Sequence, residues 1–178
     1  MIERNPHRKA QMQPEIGGYR PGAIGRVAEM HAAYYHRHWG FGLFFEAKVA
    51  TELAEFLHRF DGERDGFWTV LDGNRVMGSI AIDGLKAASE GAHLRWFIVA
   101  PELQGSGWGR LLLAEAIAFC DRRAYSKTFL WTFAGLDAAR HLYEGFGFRL
   151  VTETEGERWG ARVVEQRFER DHPPVSRR

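Results

Sequence analysis

Among 178 residues there is a single cysteine, Cys120, so no intrachain disulfide can form. Its setting in an apolar stretch suits a small buried hydrophobe. Excess charge is missing too: 24 Lys and Arg stand against 23 Asp and Glu, a net +1. That balance supplies no basic face for nucleic acid or for an anionic membrane, and neither partner is expected. No apolar run approaches the ~18 residues of a membrane span, and no signal-peptide pattern opens the chain, so a cytoplasmic location is expected. Nor does any zinc spacing occur. His31, His36 and His38, with Glu46 as the carboxylate considered beside them, match no ligand pattern, and no metal is expected. There is no internal repeat.

What is present is the composition of one soluble domain, 45% hydrophobic and 26% charged. Residues 1–15 are polar and aperiodic and read as a flexible arm, 16–170 as the domain, and 171–178 as a Pro-containing basic tail. Residues 16–20 fit a short strand. Pro21-Gly22 opens a helix with Ile24, Val27, Ala28, Tyr34 and Tyr35 at 3.6 spacing, and His31 on the same stripe reads as a satisfied interface histidine. A second helix is expected over 43–60, with Val49, Ala50, Leu53, Phe56, Leu57 and Phe60 inward. Asp72-Gly73-Asn74 is a hairpin signal between strands at 67–71 and 75–83. Strands follow at 92–99 and 126–133, and a helix capped by Asp137 runs to Tyr143. A strand pair at 148–153 and 162–168 closes the chain around a 156–160 turn. The order makes an α/β fold, α+β-like in its front half.

Everything is arranged around residues 94–110. An aromatic and branched strand ends at Val99, and a buried helix is expected from Leu111 to Arg123. Between them Gly105, Gly107 and Gly109 alternate with Ser106, Trp108 and Arg110. Glycine lets a ligand approach the main chain, and a helix start offers free N–H groups and a positive dipole end to phosphate. The spacing is neither a Walker loop nor G-x-G-x-x-G.

Gln104-x-x-Gly107-x-Gly109 resembles the Q/R-x-x-G-x-G/A signature of the GNAT family of N-acetyltransferases. Leu142-Tyr143-Glu144-Gly145-Phe146-Gly147-Phe148 resembles that family's L-Y-x-x-x-G-F segment. More loosely, the stretch from His31 to Phe56 is similar to acetyltransferase domains fused behind MarR-type regulators. The resemblance implies a mixed, mainly antiparallel sheet of six to seven strands with about four helices, and acetyl-CoA as cofactor.

It also implies roles. Gln104 and the N–H groups of Gly105, Ser106, Gly107, Trp108, Gly109 and Arg110 would meet the pyrophosphate. Phe97 and Val99 would offer a splayed strand edge to the pantetheine amides. Where the family often has Asn the chain has Leu136, with Asp137 beside it as a substitute contact. Tyr143 matches the proton-donating tyrosine, or else is a half-buried aromatic with a bonded hydroxyl. His93 stands where histone-acetylating relatives place a glutamate base, or is simply tolerated at a strand end. Plain alternation would put His93 and Arg95 on one face with Phe97 and Val99, an arrangement that a bulge would change. Glu46 is the other candidate base, or it complements the helix dipole. Tyr34, Tyr35, Glu46 and Arg95 are the candidates for lining the acceptor pocket. The function expected is acetyl transfer from acetyl-CoA to a primary amine of a small or amino-acid-type acceptor by direct attack. A non-catalytic acyl-CoA sensor or partner-binding module is the alternative. Homodimerisation is common in the family.

Overall fold

The computed structural model describes residues 14–172; residues 1–13 and 173–178, most of the expected arm and tail, lie outside the described residues. The elements are β1 Glu15–Gly17, α1 Ala23–Trp39, α2 Leu43–His58, β2 Gly66–Asp72, β3 Arg75–Asp83 and β4 Ala92–Val99. After a 3-10 turn at Pro101–Leu103 come α3 Trp108–Arg122, β5 Lys127–Phe133, α4 Asp137–Gly145, β6 Arg149–Gly156 and β7 Val163–Asp171.

The strands form one sheet in the order β1-β2-β3-β4-β5-β7-β6. Every neighbouring pair is antiparallel except β4 and β5. The first hairpin has the expected tight turn: Asp72 pairs with Arg75, and Gly73 supplies a φ of +60°. α2 packs on one face, where Phe56 meets Trp96, and α3 packs on the other, where Phe119 meets Trp68. Val27, Leu53, Phe56, Ile80, Ile82, Leu112, Leu113, Leu130 and Phe168 are fully buried between these layers.

Several expected boundaries move for local reasons. α3 begins at Trp108, three residues before Leu111, because Gly107 at φ +92° turns the chain and its carbonyl already accepts from the Leu111 N–H at 3.1 Å. α2 stops at His58, and Arg59 caps it by donating to the Glu55 carbonyl at 3.2 Å. Phe60, expected inside, therefore falls beyond the helix and is 42% exposed. Asp137 does not cap α4: it is the first helical residue, Leu136 holds the cap position, and no side-chain cap bond forms. At the far end β7 runs through Asp171, and buried His172 lies within 2.6 Å of Thr128 Oγ1 and 2.5 Å of Asp121 Oδ1.

Candidate active site

A parting in the sheet makes the site. β4 and β5 pair only at Ala92 with Thr128 and His93 with Phe129, and beyond His93 they separate. The cause lies in β4, where Trp96 and Phe97 together face the single residue Ile80 of β3, a bulge with Trp96 at φ +47°. Ser79 fixes it by donating its hydroxyl to the Trp96 carbonyl at 2.7 Å. The bulge also overturns the expected alternation. The register sets His93 and Arg95 opposite Asp83 and Ala81, on the α2 face, and Val99 opposite Gly78, on the α3 face. Phe97 likewise lies on the α3 side, 3.5 Å from where a Cβ on Gly109 would stand.

The glycine segment is the mouth of α3. Gly105 and Gly107 hold φ of +75° and +92°, conformations that other residues adopt only under strain. Among the described residues the N–H groups of Gly105, Gly107, Trp108, Gly109 and Arg110 have no backbone acceptor. Ser106 differs from expectation: its N–H leans on the Leu103 carbonyl at 3.4 Å, and its hydroxyl donates there at 2.5 Å. Gln104 ties this loop to β4, donating from Nε2 to the Val99 carbonyl at 3.0 Å. The Arg110 guanidinium lies 5.6 Å from the Phe146 ring. Free amides, a dipole end and no side chain at three positions make a cradle that suits a diphosphate.

Beside it a cleft of ≈ 450 Å³ runs between α1, α2, β4, β5 and the β6–β7 turn. Of the sequence candidates, Tyr143, His93, Tyr35, Arg95 and Phe97 line it. Tyr143 is 6% exposed, packs on Phe97, Phe148 and Phe168, and its hydroxyl makes no hydrogen bond to the described residues. Burial, aided by neighbouring Tyr35, raises its pKa well above that of a free phenol. His93 stacks on Phe129 at 4.4 Å. Burial, then Arg95, Arg167 and Arg158, push its pKa down to about 3. His31 also reaches the cleft; its Nδ1 bonds the Val27 carbonyl at 2.8 Å, and burial lowers its pKa to about 4.

Of the catalytic and acceptor candidates, Tyr34 and Glu46 do not line the cleft. Tyr34 packs with Tyr35, His38 and Trp39, and Glu46 is exposed on the first turn of α2. The inward stripe of α2 is Phe45, Val49, Leu53 and Phe56, which leaves Glu46 off the sheet side. Glu52 takes the position instead, lining the cleft and gripped by Lys48 and Arg95. Asp137 is exposed at the start of α4.

With this geometry in place, comparison is informative. The sequence profile of the acetyltransferase (GNAT) family matches residues 26–148. The chain belongs to the GNAT family. Among solved structures this GNAT chain resembles the yncA protein of Salmonella typhimurium, solved with its cofactor acetyl-CoA, at TM-score 0.69 and 15% identity, covering 92% of this chain and 99% of the other. It also resembles a spermidine N-acetyltransferase of Vibrio cholerae, solved with CoA and spermine, at TM-score 0.65 and 20% identity over 88% and 94% of the two chains. In sequence it is 28% identical over 127 residues to N-acetylaspartate synthetase of Danio rerio, matching 71% of this chain and 45% of that one. The chain thus spans less than half the length of that relative.

Other lining residues of this GNAT domain escaped the sequence: Glu52, Trp131, Arg158 and Trp159. The 156–160 turn read only as a connection. Its Arg-Trp pair, a cation beside an aromatic in a short glycine-bounded loop, was the available signal. No helix among the described residues is long and apolar enough to cross a membrane.

Proposed function

We propose that this chain is an acetyl-CoA-dependent N-acetyltransferase acting on the primary amine of a small or amino-acid-type acceptor, by direct attack in a ternary complex. One observation carries the reading: the parting of β4 and β5 opens a cleft lined by the β4 edge at Phe97 and by Tyr143, and Phe97 also lies 3.5 Å from where a Cβ on Gly109, in the amide-lined mouth of α3, would stand. The similar proteins named as an N-acetylaspartate synthetase and a spermidine N-acetyltransferase support transfer to the nitrogen of a small acceptor.

The donor supplies an electrophilic thioester carbonyl and a thiolate leaving group. The chain does the rest. The N–H groups of Gly105, Gly107, Trp108, Gly109 and Arg110 receive the diphosphate, with Gln104 and Ser106 shaping the loop and Asp137 close to the α4 start. The β4 edge at Phe97 and Val99 takes the pantetheine amides as an added strand would. Tyr143 keeps its proton at every working pH and gives it to the departing sulfur. Burial that raises the phenol also raises the basicity of a thiolate in the same cleft, so donor and acceptor stay matched there.

The acceptor's proton goes elsewhere. Burial, then Arg95, Arg167 and Arg158, hold the His93 imidazole down to about 3, which leaves it a weak base for an ammonium. His93 therefore shapes the cleft, and solvent takes the proton. Arg95 and Arg158, which disfavour charge on His93, disfavour the ammonium form in the same way.

The test follows free thiol on incubation with acetyl-CoA and a panel of amines. Tyr143→Phe is expected to lower kcat by roughly 10²–10³ while KM for acetyl-CoA stays within about twofold. Release unaffected by that change would remove the tyrosine's role, and no release with any amine would favour the non-catalytic binding module.

A further inference from the structure

The acceptor side of the cleft is lined by four cations, each already facing a carboxylate. Lys48, Arg59, Arg95 and Arg158 line it against two carboxylates, Glu52 and Glu55, and Glu52 is already held by Lys48 and Arg95. Arg59 turns Nη2 to Asp83 at 2.5 Å, while its buried Nη1 lies 3.9 Å from Asp65 Oδ2 and has no hydrogen-bond partner among the described residues.

Arg158 has donors to spare at an edge that no carboxylate among the described residues covers. Its guanidinium lies 4.0 Å from the Trp131 ring centre. Buried Glu165 accepts from its backbone N–H at 2.8 Å and from Nε at 3.2 Å. Both terminal nitrogens have no acceptor among the described residues. Glu165 itself is confined, since a Cβ on Gly156 would come within 2.4 Å of its carboxylate. A guanidinium stacked on one face, anchored through Nε and free at its two tips is pre-set for a carboxylate to dock on its outer edge.

We propose that Arg158 determines acceptor specificity by seating a carboxylate, so that the acceptor is an amine bearing a carboxylate group, an amino acid rather than a polyamine. The acetyl-transfer reading supplies the amine; the anion seat stands on the stacking, anchoring and open edge of Arg158. Polyamines bring only positive charge and offer no acceptor to the open edge of Arg158.

Calorimetric titration of the CoA-loaded chain with L-glutamate, succinate, spermidine and butylamine reads the seat without requiring turnover. Glutamate is expected to bind, succinate to bind more weakly, and spermidine and butylamine to bind at least tenfold more weakly than glutamate. Arg158→Gln should weaken glutamate at least tenfold and leave CoA affinity within twofold, with Arg158→Lys retaining part of the loss. In turnover, Arg158→Gln should raise KM for glutamate at least tenfold and change kcat less than threefold. Spermidine or butylamine binding as tightly as glutamate, no glutamate binding at all, or an unchanged Arg158→Gln variant overturns the seat. Glutamate held through Arg158 with no amine ever acetylated leaves the seat standing and defeats the transfer reading. Acetylation of spermidine in preference to glutamate does the reverse.

Discussion

Burial acts on His93 and Tyr143 in opposite chemical senses. It strips the charged form from each, leaving an imidazole without its proton and a phenol that cannot lose one. The phenol is thereby kept as a donor, while the imidazole is too weak a base to serve an ammonium. His93→Asn is accordingly expected to lower kcat less than about fivefold, well short of the ~10² a lost general base would give. The same residue has a readout in stability. His31 and His93 titrate near 4 and near 3 when folded, against ~6.5 unfolded. Between those values the unfolded chain binds more protons, so stability rises with pH through that window. It is fully present above ~6.5 and is lost as pH falls toward the folded values. Each histidine withdraws on the order of 2 kcal/mol by pH 5. Thermal melts at pH 8 and pH 5 should show a smaller drop for His93→Asn than for the wild type. An equal drop, or a kcat loss near 10², would restore His93 to a protonating role.

Elements held locally could be read from the chain, and elements held by distant partners could not. β4 occupies residues 92–99 as its aromatic and branched pattern requires, and the Gly73 turn joins β2 and β3 where Asp-Gly-Asn stands. The glycine mouth before α3 was legible because alternating glycines have few other uses. The bulge at Trp96 was not, since it depends on which β3 residue each β4 residue meets, and nothing in the 92–99 stretch records that. Glu46 was misplaced for a related reason: the α2 stripe settles at Phe45, Val49, Leu53 and Phe56, and six residues on it is Glu52 that borders the cleft. Arg158 was hidden because its partners, Trp131 and Glu165, come from two other strands. The bulge has its own test. Ser79→Ala removes the hydroxyl that holds the Trp96 carbonyl in a buried setting, which should destabilise by ~1–3 kcal/mol. If the bulge also sets the parting, KM for acetyl-CoA rises in the same variant. A melt and a KM both unchanged would show that the hydroxyl holds nothing.

At the scale of the molecule the sheet is two blocks, β1 to β4 and β5-β7-β6, joined in the ladder by only two residue pairs. Aromatic contacts supply much of the remaining connection. Phe133 of β5 meets Tyr35 at 5.7 Å and Trp39 at 5.2 Å on α1, and Tyr143 of α4 lies between Phe97 of β4 and Phe168 of β7. Packing thus keeps the blocks together while the backbone between them stays unpaired, an arrangement a sheet tolerates only where water or a ligand meets its open groups. That tolerance can be measured by hydrogen exchange. In the free chain the β4 amides facing the gap, within residues 94–99, should exchange much faster than those of β2 and β3, which are paired along their lengths. Adding CoA should slow exchange in a peptide spanning 94–110, covering both the strand edge and the α3 mouth, and leave peptides from β2 and β3 unmoved. Protection confined to the α3 mouth would mean that only phosphate is held there and that the gap is not the pantetheine's seat. Protection in β2 and β3 instead would mean that the parting is a feature of the fold and not the place where the donor binds.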